Sequence, residues 1–294
     1  MSRKTACWSV LLVLVCCGGL VVPASAQQFL QVKGTLTSVS AGRNEIFGVD
    51  SKAVVWRYHA TPRSFGKVAK ASLVNVVVGG GTVSQLDEVW GLGANGDVYR
   101  FNYSTKAFDP IGNSLAQIVV GVGYQDSCHP YEVWGLNSAG NVFRYNYCTD
   151  FFDAGFNVLL TQVATGAGDV WGVSSASQIF HYSFASQSFA QVSGTLTQIS
   201  VGVNDVWGVD SSSNVFRYDP ATQKFSKVSG NTAQVSAGGD GVWLADPSND
   251  ILRFDSSSAK FAQVPGSLKS IAVGSGAGVF GINNSDQVFM FVRP

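Results

Sequence analysis

The chain has 294 residues, with 19 basic and 19 acidic side chains and an apolar fraction of 46%. A balance this close to neutral gives no electrostatic basis for gripping nucleic acid or an anionic membrane surface. The length suits one large β domain.

Residues 1–26 read as an export signal. Arg3 and Lys4 supply a positive start, Val10 to Val22 an apolar stretch, and Pro23-Ala24-Ser25-Ala26 a small-x-small cleavage pattern. The mature chain is therefore expected to begin at Gln27 and to be secreted or periplasmic. The apolar stretch is shorter than the roughly 20 residues that span a bilayer, so no retained anchor is expected. Three of the five cysteines lie in this leader. Cys128 and Cys148 remain, an even pair in an exported chain, which predicts a disulfide.

From Gln27 to Pro294 one apolar-aromatic-small-apolar tetrapeptide recurs seven times. It begins as Ile46-Phe47-Gly48-Val49 and continues through Val89-Trp90-Gly91-Leu92, Val133-Trp134-Gly135-Leu136 and Val170-Trp171-Gly172-Val173. Val206-Trp207-Gly208-Val209, Val242-Trp243-Leu244-Ala245 and Val279-Phe280-Gly281-Ile282 complete the series. The aromatic positions are 43, 44, 37, 36, 36 and 37 residues apart. Strand-like repeats at this period predict an all-β propeller, one blade per repeat. Repeat five shows the unit: four short β-branched and aromatic runs between Leu196 and Gly230, separated by Ser, Asn and Pro clusters. Repeats two and three are longer, with the extra residues between first and second strands, Gly80 to Glu88 and Gly123 to Glu132. Both cysteines then fall on one face of blade three.

Repeat seven stops after its third strand, Val288-Phe289-Met290-Phe291. The missing fourth strand stands at the other end, as Phe29-Leu30-Gln31-Val32-Lys33-Gly34, which matches Phe261 to Gly266. A seven-bladed ring closed by the N-terminal strand is expected, because closure removes an exposed edge.

Two recurrent positions are candidate ligand contacts. Trp90, Trp134, Trp171, Trp207 and Trp243 offer indole faces that stack on sugar rings, or else fill the gaps between blades. Arg57, Arg100, Arg144, Arg217 and Arg253 share one third-strand position, with His181 and Met290 in repeats four and seven. A recurrent arginine in mid-strand either grips hydroxyl pairs or an acidic group, or pairs with a carboxylate; Asp50, Asp210 and Asp246 are the candidates. Asp126, His129 and Glu132 cluster in the repeat-three insertion, where a solvated loop is expected and no metal. No nucleophile, P-loop or metalloprotease pattern is present, so neither catalysis nor a cofactor is expected.

The repeated VWGV-D, the VFRYD third strand and the F-x-x-V-x-G fourth strand resemble the tectonin repeat of β-propeller lectins. Tachylectin-type and fish-egg lectins are similar. The resemblance implies a non-catalytic multivalent lectin that recognises surface glycans or lipopolysaccharide. A protein–protein interaction scaffold without sugar binding is the other reading that a loop-bearing propeller face admits.

Overall fold

The computed structural model describes residues 28–83 and 85–292, and it contains 28 β-strands and no helix among them. The segment read as an export signal lies outside the described residues. No helix among them is long and apolar enough to cross a membrane. Antiparallel pairing gives five separate four-stranded sheets. An eight-stranded sheet holds two further four-stranded units, joined by a single parallel bridge between Lys33 and Ser64. Seven blades result. In blade five the strands are Gln198–Val201, Val206–Val209, Asn214–Asp219 and Lys224–Asn231.

Closure follows the expected route. Gln28–Thr35 pairs antiparallel with Gln287–Val292, placing Phe29 opposite Phe291 and Val32 opposite Val288. Val32, Leu36 and Ile46 from the start of the chain share one apolar cluster with Phe280, Ile282 and Val288 from its end. The ring is also tied across its first strands. The Gln117 Oε1 accepts from the Val163 N–H at 2.9 Å, Gln162 from Ile199 at 2.8 Å, and Gln198 from Val235 at 3.1 Å. Each of these glutamines stands in for a backbone acceptor of the next blade, satisfying an inward N–H that would otherwise be unpaired.

The small residue of the tetrapeptide is fixed by packing within its own blade. A Cβ on Gly48 would lie 2.5 Å from Leu36 Cδ1, and one on Gly208 would lie 2.3 Å from Leu196 Cδ1. The leucine that opens each blade except the sixth occupies that space. Blade six, which departs from the tetrapeptide, reverses the two sizes. Leu244 stands where the glycine was, and the fully buried Thr232 stands where the leucine was. The Thr232 hydroxyl donates to the Ala245 carbonyl at 2.7 Å, so the smaller side chain also leaves no unmet polar group.

Blade three differs from the expected loop. Gln117–Asp126 and His129–Leu136 form one lengthened hairpin, in register from Gln117 opposite Leu136 to Val122 opposite Tyr131 and, beyond a bulge, to Asp126 opposite His129. Cys128 at its tip is bonded to Cys148, with Cα atoms 5.0 Å apart. The bridge joins the first-to-second and third-to-fourth connections on one face of the blade.

Deleting residues 27–34 should expose the edge of Gln287–Val292 and cost at least about 3 kcal/mol, because the apolar cover of blade seven goes with it. Urea unfolding with light scattering measures this. A truncated protein with the full-length transition would contradict ring closure.

Candidate functional site

The five tryptophans do not offer a stacking face. Trp90, Trp134, Trp171, Trp207 and Trp243 are each 0% exposed, as are Phe47 and Phe280 at the same position. Of the two roles open to them, ligand platform or packing between blades, their burial supports packing. The rings meet aromatics of the following blade: Trp90 meets Tyr145 and Phe152, Trp207 meets Phe254 and Phe261, and Phe47 meets Phe101 and Phe108. Centroid separations of 4.7–6.2 Å and steep interplanar angles are those of edge-to-face packing. Exposing one such ring to reach a ligand would open a blade interface.

The arginines lie above these aromatics, towards the face that carries the disulfide. Arg100 sits 5.7 Å from the Trp90 ring and 5.0 Å from the Tyr147 ring. Arg217 is 5.6 Å from Trp207 and 5.7 Å from Phe254. Their carboxylate partners are not Asp50, Asp210 and Asp246. Those three side chains close the hairpins after the second strands, where Asp210 Oδ1 accepts from the backbone N–H groups of Ser212 and Asn214. Asp50 and Asp246 do the same in their blades.

The partners stand one residue before each tetrapeptide. In blade two the Glu88 Oε2 accepts from Trp90 Nε1 at 2.9 Å and from Arg100 Nε at 2.8 Å, while Oε1 accepts from Arg100 Nη2 at 2.7 Å. Glu132 holds Trp134 and Arg144 in the same way, at 2.7, 2.9 and 2.6 Å. Glu45 clamps Arg57 through the same Nε and Nη2 edge. Burial works against the Arg100 charge, but Glu88 outweighs it, and the guanidinium pKa lies above its ordinary value.

Blade four keeps the design with other side chains. Asp169 accepts from Trp171 Nε1 at 2.7 Å and lies 2.6 Å from His181 Nε2, and the imidazole stacks flat on the indole at 4.2 Å. Desolvation would raise the Asp169 pKa, but the bonds from His181 and Trp171 prevail and hold it below the usual carboxylate range. Blade five loosens the clamp. Asp205 approaches Arg217 only to 3.5 Å, and the buried Trp207 Nε1 has no hydrogen-bond partner among the described residues. Blade six has Gly241 at this position, and Arg253 forms no ion pair among the described residues. In blade seven Gly278, Phe280 and Met290 remove the clamp altogether.

Asp126, His129 and Glu132 do not form one group. Asp126 and His129 pair at the hairpin tip, 2.6 Å apart, while Glu132 is buried in the blade-three clamp. A central channel of about 540 Å³ runs between the first strands, and Arg43 is the single ionisable side chain among its described lining residues.

A family model for the tectonin domain matches residues 19–155 and 159–293. The chain belongs to the tectonin family. No curated protein matches it significantly. Solved structures share the propeller fold of this tectonin chain at low identity. YCF48 bound to D1 peptide aligns with a TM-score of 0.67 at 13% identity, covering 93% of this chain and 99% of that one. Human WBSCR16 aligns at 0.65 and 10% identity, covering 90% and 89%. Prp20p from Saccharomyces cerevisiae aligns at 0.65 and 9% identity, covering 86% and 81%.

The graded clamps of this tectonin predict graded costs. Arg144 and Glu132 are 9% and 0% exposed, so Arg144→Ala takes the cation away from a buried carboxylate and should cost about 3–5 kcal/mol. Arg217 is 45% exposed, and Arg217→Ala should cost less than about 1 kcal/mol. Denaturant unfolding of both variants measures the difference; equal costs would contradict the grading.

Proposed function

We propose that this tectonin propeller is an exported, multivalent carbohydrate-binding protein that recognises surface glycans or lipopolysaccharide without catalysis. The observation that carries this reading is the repetition of half-exposed guanidinium groups above buried aromatics on one face of the ring. Arg57, Arg100 and Arg217 have side chains that are 26%, 33% and 45% exposed. None of their Nη1 groups has a partner among the described residues, while their Nε or Nη2 groups are held by acids. Each clamp thus presents outward donors beside carboxylate lone pairs, the combination that a pair of sugar hydroxyls takes up. Recurrent weak sites on one face gain avidity on a dense glycan surface through effective concentration.

Export is supported by the Cys128–Cys148 disulfide, which persists in oxidising compartments, and by the leader pattern of the first 26 residues. The interaction-scaffold reading draws on one specific observation, that the structurally similar YCF48 is seen bound to a peptide.

The test is a glycan array that includes bacterial and methylated sugars, followed by surface retention. Wild type should be retained on a dense glycan surface at least about 100-fold more tightly than it binds the free sugar. Arg100→Gln with Arg217→Gln should lower retention about tenfold, and Arg217→Gln alone should lower it less. Absence of any glycan binding would favour the scaffold. Undiminished retention by the folded double variant would move the sugar sites away from these arginines.

A further inference from the structure

Blade six carries the arginine but not the acid that answers it. Glu45, Glu88 and Glu132 each present a carboxylate to the Nε and Nη2 edge of the blade's arginine. Arg253 stands at the equivalent place, 5.3 Å from the Trp243 ring and 6.0 Å from the Phe291 ring. Its aromatic floor is intact. The position that supplies the acid elsewhere is Gly241.

No side chain of residue 241 fills that edge. The three atoms nearest to a Cβ placed on Gly241 would be Trp243 Nε1 at 3.5 Å, Arg253 Nε at 3.7 Å and Arg253 Nη2 at 4.0 Å, all ordinary contact distances. The three nitrogen atoms are the counterparts of those that hold the Glu88 and Glu132 carboxylates. Gly241 has φ +107°, a backbone conformation that side-chain-bearing residues rarely adopt, so this blade is built without an acid of its own. Trp243 Nε1 donates to the Asp240 carbonyl at 3.2 Å, and the Asp240 carboxylate accepts the Gly278 N–H at 3.0 Å in the next blade. The guanidinium fork is what remains for an incoming group.

We propose that blade six is a carboxylate-binding site for an acidic sugar, in which Arg253 receives the ligand carboxylate through its Nε and Nη2 edge. The ligand oxygens take the place that the Glu88 carboxylate fills in blade two. Planar bidentate pairing of this kind is stronger and more directional than contact with a neutral hydroxyl. Blade seven cannot share the role, because Met290 replaces the cation. Blades one to three cannot, because their arginines are already clamped on that edge. The acidic-sugar assignment rests on the carbohydrate reading above; it adds a single blade with its own ligand chemistry.

The experiment is a calorimetric titration of the mature, disulfide-bonded protein with D-glucuronate, D-glucose and acetate in parallel. Glucuronate should bind at least about tenfold more tightly than either comparison ligand, and the margin should shrink with added salt. Arg253→Gln should abolish the margin, and Arg253→Lys, which keeps the charge but not the fork, should retain only part of it. Lys269→Gln removes a cation paired with Asp286 at the turn between the second and third strands of blade seven and should leave the margin unchanged. Equal binding of glucuronate and glucose, or a margin that survives in folded Arg253→Gln, would overturn the proposal. Acetate binding as tight as glucuronate would also overturn it, since the sugar would then not be recognised. Neutral glycan binding without an acid preference would reject this site while leaving the lectin reading in place. Failure of every sugar, charged or neutral, would reject both.

Discussion

The structure depends on one contact made seven times: the second-strand aromatic of each blade, buried against aromatic side chains of the next. Trp134 on Tyr182 and Phe189, Trp171 on Tyr218 and Phe225, and Trp243 on Phe291 and Phe29 show it at three of the interfaces. Each ring removes about 150–250 Å² from water, a gross gain of about 4–6 kcal/mol per interface. A blade therefore lacks one wall of its core without its neighbour, which is why the last blade must recover Phe29 from the beginning of the chain. Closure and the repeat count are consequences of the same wedge.

Polar chemistry is built on top of that wedge and is not free to vary independently of it. A cation set over an aromatic floor gains from the ring quadrupole, but a partly buried cation also needs an anion. Blades one to four supply the anion internally, blade five supplies it loosely, and blade six does not supply it. The gradient turns near-identical repeats into unequal ones. The same tolerance for local exchange appears in the packing, where Leu244 and Thr232 swap the sizes of Gly208 and Leu196 without disturbing the strand order.

The ring, the closing strand and the disulfide were legible in the sequence because they follow from spacing and parity alone. The role of the tryptophans was open, since an aromatic that fills a core and one that stacks on a sugar have the same side chain. The arginine partners were missed for a reason of register. Arg57 lies opposite Phe47, so its neighbours on that sheet face are residues an even number of steps away along the second strand. Glu45 satisfies that condition; Asp50, three steps on, points to the other side. An acid two residues before the aromatic in repeats one to five was the available signal. The blade-three insertion was read as a loop because Pro130 and the cystine beside it suggest a break, yet its other residues continue the pairing of the hairpin.

On the proposed carbohydrate reading, function is a matter of which guanidinium groups retain donors for something outside the chain. Side-chain amide spectra of the ¹⁵N-labelled protein, recorded during titration with its best-bound glycan, read this directly. The Arg217 and Arg253 Nε–H signals should shift, while the Arg144 Nε–H and the Trp134 indole N–H, both committed to Glu132, should stay in place. Shifts led by the indole signals, or arginine signals that remain fixed throughout, would contradict the account.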